Sequence, residues 1–199
     1  MEKKLLITGF DPFGGECVNP AWEAVKALPE HIGPYRLYKL EIPTVFGEAA
    51  QTVLDTAAKL IPDVILCIGQ AGGRGAITPE RVAINLRDAT IPDNQGNQPV
   101  DTPCVAEGPA AWFSTVPVKA MAKAITDAAV PGQVSLSAGS FVCNDTLYNL
   151  LHHHAGTNTR VGFIHVPYLP RQAKEGVPSM ALETTVKGLT AAIAALDCD

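Results

Sequence analysis

Asp63-Val64-Ile65-Leu66-Cys67-Ile68 is an unbroken apolar run that ends in Gly69-Gln70-Ala71-Gly72-Gly73-Arg74. A strand with no polar alternation is buried on both faces, the condition of a parallel sheet covered by helices. Lys4-Leu5-Leu6-Ile7-Thr8 is a second such run and leads into Gly9-Phe10-Asp11-Pro12-Phe13-Gly14-Gly15. Arg160-Val161-Gly162-Phe163-Ile164-His165-Val166-Pro167 is a third, with a histidine near its end. Residues 35–42 supply a further strand. Between the strands the period changes to that of helices. Asn19-Pro20 reads as an N-cap followed by proline at the first helical position, opening a helix over residues 21–28 that stops at Pro29. Ala50, Val53, Leu54, Ala57 and Leu60 share one helical face. So do Val118, Met121, Ala122 and Ile125, and later Leu182, Val186, Leu189, Ile193 and Leu196. This alternation predicts an α/β fold: a three-layer sandwich whose mostly parallel central sheet is flanked by helices, with residues 1–199 as a single domain. Residues 78–102 interrupt it. Arg81-Val82-Ala83-Ile84-Asn85-Leu86 alternates, and Pro92-Asp93-Asn94-Gln95-Gly96-Asn97 is rich in turn formers, so an inserted hairpin or excursion is expected there.

The chemistry concentrates in Gly139-Ser140-Phe141-Val142-Cys143-Asn144-Asp145. Residues 133–137 alternate as a strand does, and Leu147, Leu150, Leu151 and His154 recur at helical spacing, so Cys143 is expected at a helix N-terminus. The unpaired N–H groups there favour an anion, and the expectation is a lowered thiol pKa. Cys143 followed by His165, each at the end of an element, has the form of a nucleophile and its base. Singly, a free cysteine is more often a small buried hydrophobe and a strand histidine a core residue. The pairing at element ends is what favours catalysis. Cys67 lies mid-strand and reads as core. The glycine-rich loop 69–74 lacks both the Gly-Lys-Ser/Thr of a P-loop and the G-x-G-x-x-G spacing. His152, His153 and His154 point about 100° apart around a helix and cannot converge on one metal ion.

A net charge of −5 without a basic cluster argues against a nucleic-acid partner. No apolar run reaches the ~18 residues of a membrane span, and the first run is too short for a signal-peptide core. Five cysteines with no C-x-x-C pair argue against a disulfide framework or a zinc ribbon. They fit a reducing, cytoplasmic setting.

Read together, these stretches resemble pyroglutamyl peptidase type I (pyrrolidone-carboxylate peptidase), a cysteine peptidase family. The resemblance rests on the loops 8–15 and 69–74, on Glu80-Arg81-Val82-Ala83-Ile84-Asn85, on Ile91-Pro92-Asp93-Asn94, on Phe141-Val142-Cys143-Asn144 and on residues 163–170. It implies removal of an N-terminal pyroglutamyl residue by a triad of Cys143, His165 and Glu80. It also implies an apolar slot of Phe10, Phe13, Ile91, Phe141 and Val142, with Asn19 and Gln70 as polar contacts. Core packing is the alternative for Phe141 and Val142, and helix capping for Asn19. Glycines and prolines around Phe10 and Phe13 place those two in a loop. The implied partners are pyroglutamylated peptides and further copies of the chain in a homotetramer, with no metal and no organic cofactor. One departure stands out: Thr90 occupies the position before Ile-Pro-Asp-Asn where the family usually has an arginine near the active site. Arg87, three residues earlier, faces the wrong way along a strand to replace it. Two other readings compete. A glutaminase-type amidotransferase needs a Gly-x-Cys-x-Gly elbow, which Phe-Val-Cys-Asn-Asp does not match. A thiol-sensing or small-molecule-binding relative of the same fold would keep a reactive Cys143 without turnover.

Overall fold

The computed structural model describes residues 2–198. Its six-stranded sheet is built from β1 (Lys3–Phe10), β2 (His31–Ile32), β3 (Tyr35–Ile42), β4 (Val64–Gln70), β5 (Thr78–Pro79) and β8 (Arg160–Val166), in the order β2-β3-β1-β4-β8-β5. The four inner strands run parallel, and the two-residue edges β2 and β5 are antiparallel. The apolar runs of β1, β4 and β8 are buried from both sides, as their lack of alternation requires.

Successive side chains go to opposite faces. Leu5, Ile7, Val64, Leu66, Ile68, Ile164 and Val166 pack against α1 (Pro20–Ala27), α3 (Val118–Asp127) and α5 (Leu182–Ala194). Leu6, Phe10, Ile65, Cys67, Val161 and Phe163 face the other way, onto α2 (Glu48–Leu60) and α4 (Val142–His153). The result is the three-layer arrangement. By the same alternation Gly69 and His165, which are aligned across β4 and β8, look toward the α4 side. Asn19 caps α1 through Oδ1, which accepts from the Ala21 N–H at 3.0 Å.

Two expectations change. Residues 133–137 are not a strand and hold a single isolated bridge, Glu80 with Ser135. The Ser135 hydroxyl donates to the Ser137 carbonyl and Ser137 Oγ accepts from the Gly139 N–H, local bonds that compete with a ladder. Leu136, which gave the stretch its alternation, is 74% exposed. Nor is there a hairpin confined to residues 78–102. Thr78–Pro79 joins the main sheet, while β6 (Val82–Ile84) pairs with the more distant β7 (Ala111–Phe113). Between them the chain is irregular apart from the Arg87–Thr102 bridge. Pro92, Pro99, Pro103 and Pro109 have no N–H to give a ladder. Side chains hold this excursion instead. Asn144, on α4, accepts from the Ile84 N–H at 3.0 Å and donates to the Ile84 and Leu86 carbonyls at 2.9 Å.

The chain ends are tied by Asp197, which accepts from Lys3 Nζ and Tyr35 OH at 2.7 Å and from Arg160 Nη2 at 2.9 Å. These bonds, the one from Lys3 foremost, lower its pKa to about 2. The stabilisation is therefore complete above an unfolded-state pKa near ~3.9 and fades as the pH falls toward about 2. The carboxylate is 38% exposed, so screening holds the contribution to about 1 kcal/mol or less. Asp197→Asn is expected to lower the melting temperature at pH 7 by roughly 2–4 °C. The deficit should shrink in calorimetric scans taken progressively below pH 4; a deficit independent of pH would contradict the ion-pair account.

Candidate active site

Helix α4 begins without a side-chain cap, since Phe141 at its N-cap position is extended and contributes only its backbone. Its first-turn N–H groups are therefore open to an anion. Val142 is buried in the α4-side core, and Cys143, half-buried, follows it. The thiol sits directly over Gly69: a Cβ on that residue would come within 3.0 Å of Cys143 Sγ and 2.7 Å of the Phe163 ring. Glycine at position 69 is what lets the helix end approach the sheet. Because Gly69 and His165 are register partners, this places the sulfur on the part of the sheet from which the imidazole projects.

His165 is buried, its ring centroid 4.8 Å from that of Phe163. Its Nδ1 lies 2.7 Å from Oε1 of Glu80. Glu80 is 0% exposed. Its own backbone is fixed by the Phe163 carbonyl, which accepts from its N–H at 2.9 Å, and by Ser114 Oγ, which donates to its carbonyl at 2.6 Å. Arg74 Nη1 donates to the same Oε1 at 2.6 Å. Oε2 is buried with no hydrogen-bond partner among the described residues.

The electrostatics give each group a definite form. Burial pushes Glu80 up, but the hydrogen bond from His165 foremost, with the Arg74 guanidinium beside it, outweighs burial, and the carboxyl lies below its ordinary pKa. It is an acceptor only, so Nδ1 of His165 carries the proton and Nε2 offers a lone pair. Burial pulls the imidazole pKa below its usual value against the opposing pull of Glu80, which keeps the ring neutral. Cys143 runs opposite to the expectation from its helix end. Burial above all, then the Glu80 charge and Cys67, push the thiol upward, against Arg74 and its own backbone N–H. Packing between Gly69 and the Phe163 ring outweighs the helix dipole, which is worth at most a kcal/mol or two. The resting pair is thus thiol plus neutral imidazole, in which the thiol would gain nucleophilicity by giving its proton to the imidazole.

The family model described as pyroglutamyl peptidase matches residues 3–198. The chain belongs to the pyroglutamyl peptidase family. A pyrrolidone-carboxylate peptidase of Levilactobacillus brevis is 55% identical over 97% of both chains. One of Escherichia fergusonii is 53% identical over 99% of this chain and 94% of the relative. The crystal structure of Bacillus amyloliquefaciens pyroglutamyl peptidase I superposes with a TM-score of 0.94 at 46% identity, covering 98% of this chain and 97% of the other.

Of the residues that the family resemblance assigns to the apolar slot, Phe13 and Phe141 lie together, ring centroids 6.0 Å apart. Phe46, just before α2, meets Phe141 edge-on at 5.3 Å. Phe10 is not a loop residue; it ends β1 and is buried against Phe163 at 6.1 Å. Val142 is likewise buried, whereas Ile91 is 43% exposed on the excursion. Asn19 spends Oδ1 on the α1 cap and Nδ2 on the Asp11 carbonyl. Gln70, at the end of β4, accepts at Oε1 from Gln172 at 3.1 Å, a neighbour that no local signal announced. Thr90 is exposed. Arg87 cannot stand in for an arginine there: its Nε bonds Asp145 at 2.7 Å, and its guanidinium lies 5.9 Å from the Phe46 ring centroid. Among the described residues no group of three His, Cys, Asp or Glu side chains is arranged to hold a metal.

Gly69→Ala is expected to push Cys143 Sγ and Phe163 out of place. Misplacing a reacting atom by about 1 Å can cost on the order of 10²-fold in rate. A fall in kcat/KM of at least ~10-fold, with the far-UV circular dichroism of the native fold retained, is the expected result; wild-type kinetics would refute the close-approach argument.

Proposed function

We propose that residues 1–199 act as one peptidase domain that removes an N-terminal pyroglutamyl residue from peptides, with Cys143 as nucleophile, His165 as general base and acid, and Glu80 as the group that orients His165. Membership of the family and identities of 55% and 53% to curated pyrrolidone-carboxylate peptidases make this chain a cysteine-type pyroglutamyl peptidase. The residue roles rest on one observation: His165 Nδ1 at 2.7 Å from a fully buried Glu80, beside a helix end that carries the Cys143 thiol over Gly69.

In the proposed sequence, Nε2 of His165 takes the thiol proton as Cys143 Sγ bonds to the pyroglutamyl carbonyl carbon. The oxygen of the tetrahedral intermediate faces the uncapped first turn of α4, where the Cys143 N–H is a donor. Collapse breaks the C–N bond, and His165 passes its proton to the departing amine. Water, deprotonated by His165, then attacks the thioester and releases pyroglutamate and the thiol. Glu80 stays ionised throughout and balances the imidazolium as it forms.

Pyroglutamate is a neutral lactam without a free α-amine, so its recognition calls for an apolar slot with a few polar groups. The Phe13–Phe141 pair beside Cys143 supports that placement, with Ile91 at the rim and Phe10 and Val142 forming the packed wall behind it. Gln70, its amide fixed by Gln172, and the second N–H of Asn19 Nδ2, which the Asp11 carbonyl leaves unused, are the proposed polar contacts. The sensor reading gains nothing from this geometry, because a sensing thiol needs neither an oriented imidazole nor a buried carboxylate. Among the described residues no helix is long and apolar enough to cross a membrane. Five unpaired cysteines support a reducing compartment, the cytoplasm. Assembly into a homotetramer is carried over from the family resemblance, and the exposed apolar side chains of Phe113 and Leu136 are surface that such contacts could cover.

Hydrolysis of a pyroglutamyl-aminocoumarin amide tests the assignment. Cys143→Ala should abolish turnover, and Glu80→Gln should lower kcat by at least ~10²-fold, since a neutral amide no longer enforces the tautomer. Turnover surviving in Cys143→Ala would sink the assignment. Thr90→Arg restores the charge the family carries there. It is expected to raise kcat about tenfold, part of the 2.7–4 kcal/mol that one oxyanion donor is worth (~10²–10³-fold); an unchanged kcat would dissociate position 90 from the reaction.

A further inference from the structure

Arg74 lies in the loop that follows β4, and the sequence marks it only as the last residue of a glycine-rich stretch. Gly73 adopts φ +82°, a conformation open to glycine, and the Arg74 N–H reaches back to the Ala71 carbonyl at 3.4 Å. The turn aims the guanidinium across the strap that carries Glu80. Nη1 donates to Thr78 Oγ1 at 2.7 Å and to Glu80 Oε1 at 2.6 Å, and Nη2 donates to the Ser137 carbonyl at 3.0 Å. One planar group therefore joins the loop after β4, the Glu80 strap and the segment entering α4. Arg74 keeps 30% exposure while its partner carboxylate has none.

We propose that Arg74 is a positioning residue of the triad: its guanidinium holds the Glu80 carboxylate on His165 and ties that carboxylate to the segment that delivers Cys143. The proposal rests on the triad assignment above. The physical need is plain. A buried carboxylate without a compensating charge is strongly unfavourable, and the imidazole, held neutral by burial, supplies a hydrogen bond but no charge. Arg74 supplies the charge, at the same oxygen atom that His165 addresses, and so fixes which oxygen faces the ring. A lysine could give the charge but not the planar fork that spans Glu80 and Ser137.

The charged and titratable groups acting on the His165–Cys143 pair come from three segments: Glu80 from the strap, Arg74 from the β4 loop and Cys67 from β4 itself. The Arg74 charge opposes protonation of His165 and draws the thiol downward. Taking it away leaves Glu80 free to favour the imidazolium. The acid limb of the kcat/KM profile, which requires neutral His165, must then move to higher pH.

The test uses the full chain and the pyroglutamyl-aminocoumarin amide. Arg74→Met is expected to lower kcat at least ~10-fold, to change KM less than about twofold, and to raise the acid limb by at least about half a pH unit. Arg74→Lys should hold the limb within about 0.2 pH unit of wild type while recovering only part of kcat. A role confined to stability would lower the melting temperature and leave the limb in place, and that outcome overturns the proposal. So does wild-type kcat in Arg74→Met. Should Arg74→Met fail to fold, Arg74→Lys decides: wild-type kcat removes the need for the fork, and reduced kcat with an unmoved limb supports it. Cys143→Ala run alongside separates the two readings, because activity in that variant refutes the triad itself, whereas an inert Cys143→Ala beside a wild-type Arg74→Met refutes only the role of Arg74.

Discussion

A carboxylate wholly removed from water has to be met by charge and hydrogen bonds, and Glu80 imposes that requirement on everything around it. His165 meets it with a ring N–H and Arg74 with a guanidinium, both at Oε1. Ser114 and the β8 backbone pin the peptide on either side of it. These partners come from three parts of the chain: the loop after β4, the residue after β7, and β8. The strap 78–80 is consequently locked onto β8 although it contributes only two residues to the sheet. Desolvation makes the arrangement costly to build, but it is also what makes the ring nitrogen opposite the carboxylate a neutral and oriented base.

The same desolvation sets the state of the Cys143 thiol. A helix N-terminus by itself favours a thiolate, yet Cys143 is packed over Gly69 and beside the Phe163 ring, within the field of Glu80. The balance falls toward the protonated thiol. In the proposed reaction, attack therefore depends on the approach of the imidazole, and the open N–H groups of the first turn remain free for the oxygen that becomes charged. In this arrangement the helix end serves the transition state more than the resting thiol.

The loops that matter follow the carboxyl ends of β1, β4 and β8, where parallel sheets place their sites. β1 leads to Phe13, β4 ends at Gly69 and Gln70 and leads to Arg74, and His165 is next to last in β8. Helix α4 approaches that rim from the side of the sheet on which Phe163 and Cys67 lie. The excursion between β6 and β7, anchored on Asn144, lies against the same helix and carries Ile91 and Thr90.

Local pattern determined much of this. Unbroken apolar runs specify buried parallel strands, the 3.6-residue period specifies the helices that cover them, and Asn19-Pro20 marks a helix start, because each depends on neighbours a few residues away. The stretch 133–137 and the hairpin misled for the complementary reason: alternation is a statement about burial only if another strand is present to bury it, and Leu136 found water instead. Cys143 and His165 were legible because they sit at element ends. Glu80 became prominent only through a family resemblance, since an acidic residue after Thr78-Pro79 has no local signature. The role of Arg74, the edge-on Phe46 and the bond from Gln172 to Gln70 belong to tertiary structure altogether. So does the sign of the Cys143 shift. Those features depend on which groups are taken out of water together and from which direction their charges act, and that is fixed only when segments distant in the chain are folded onto one another.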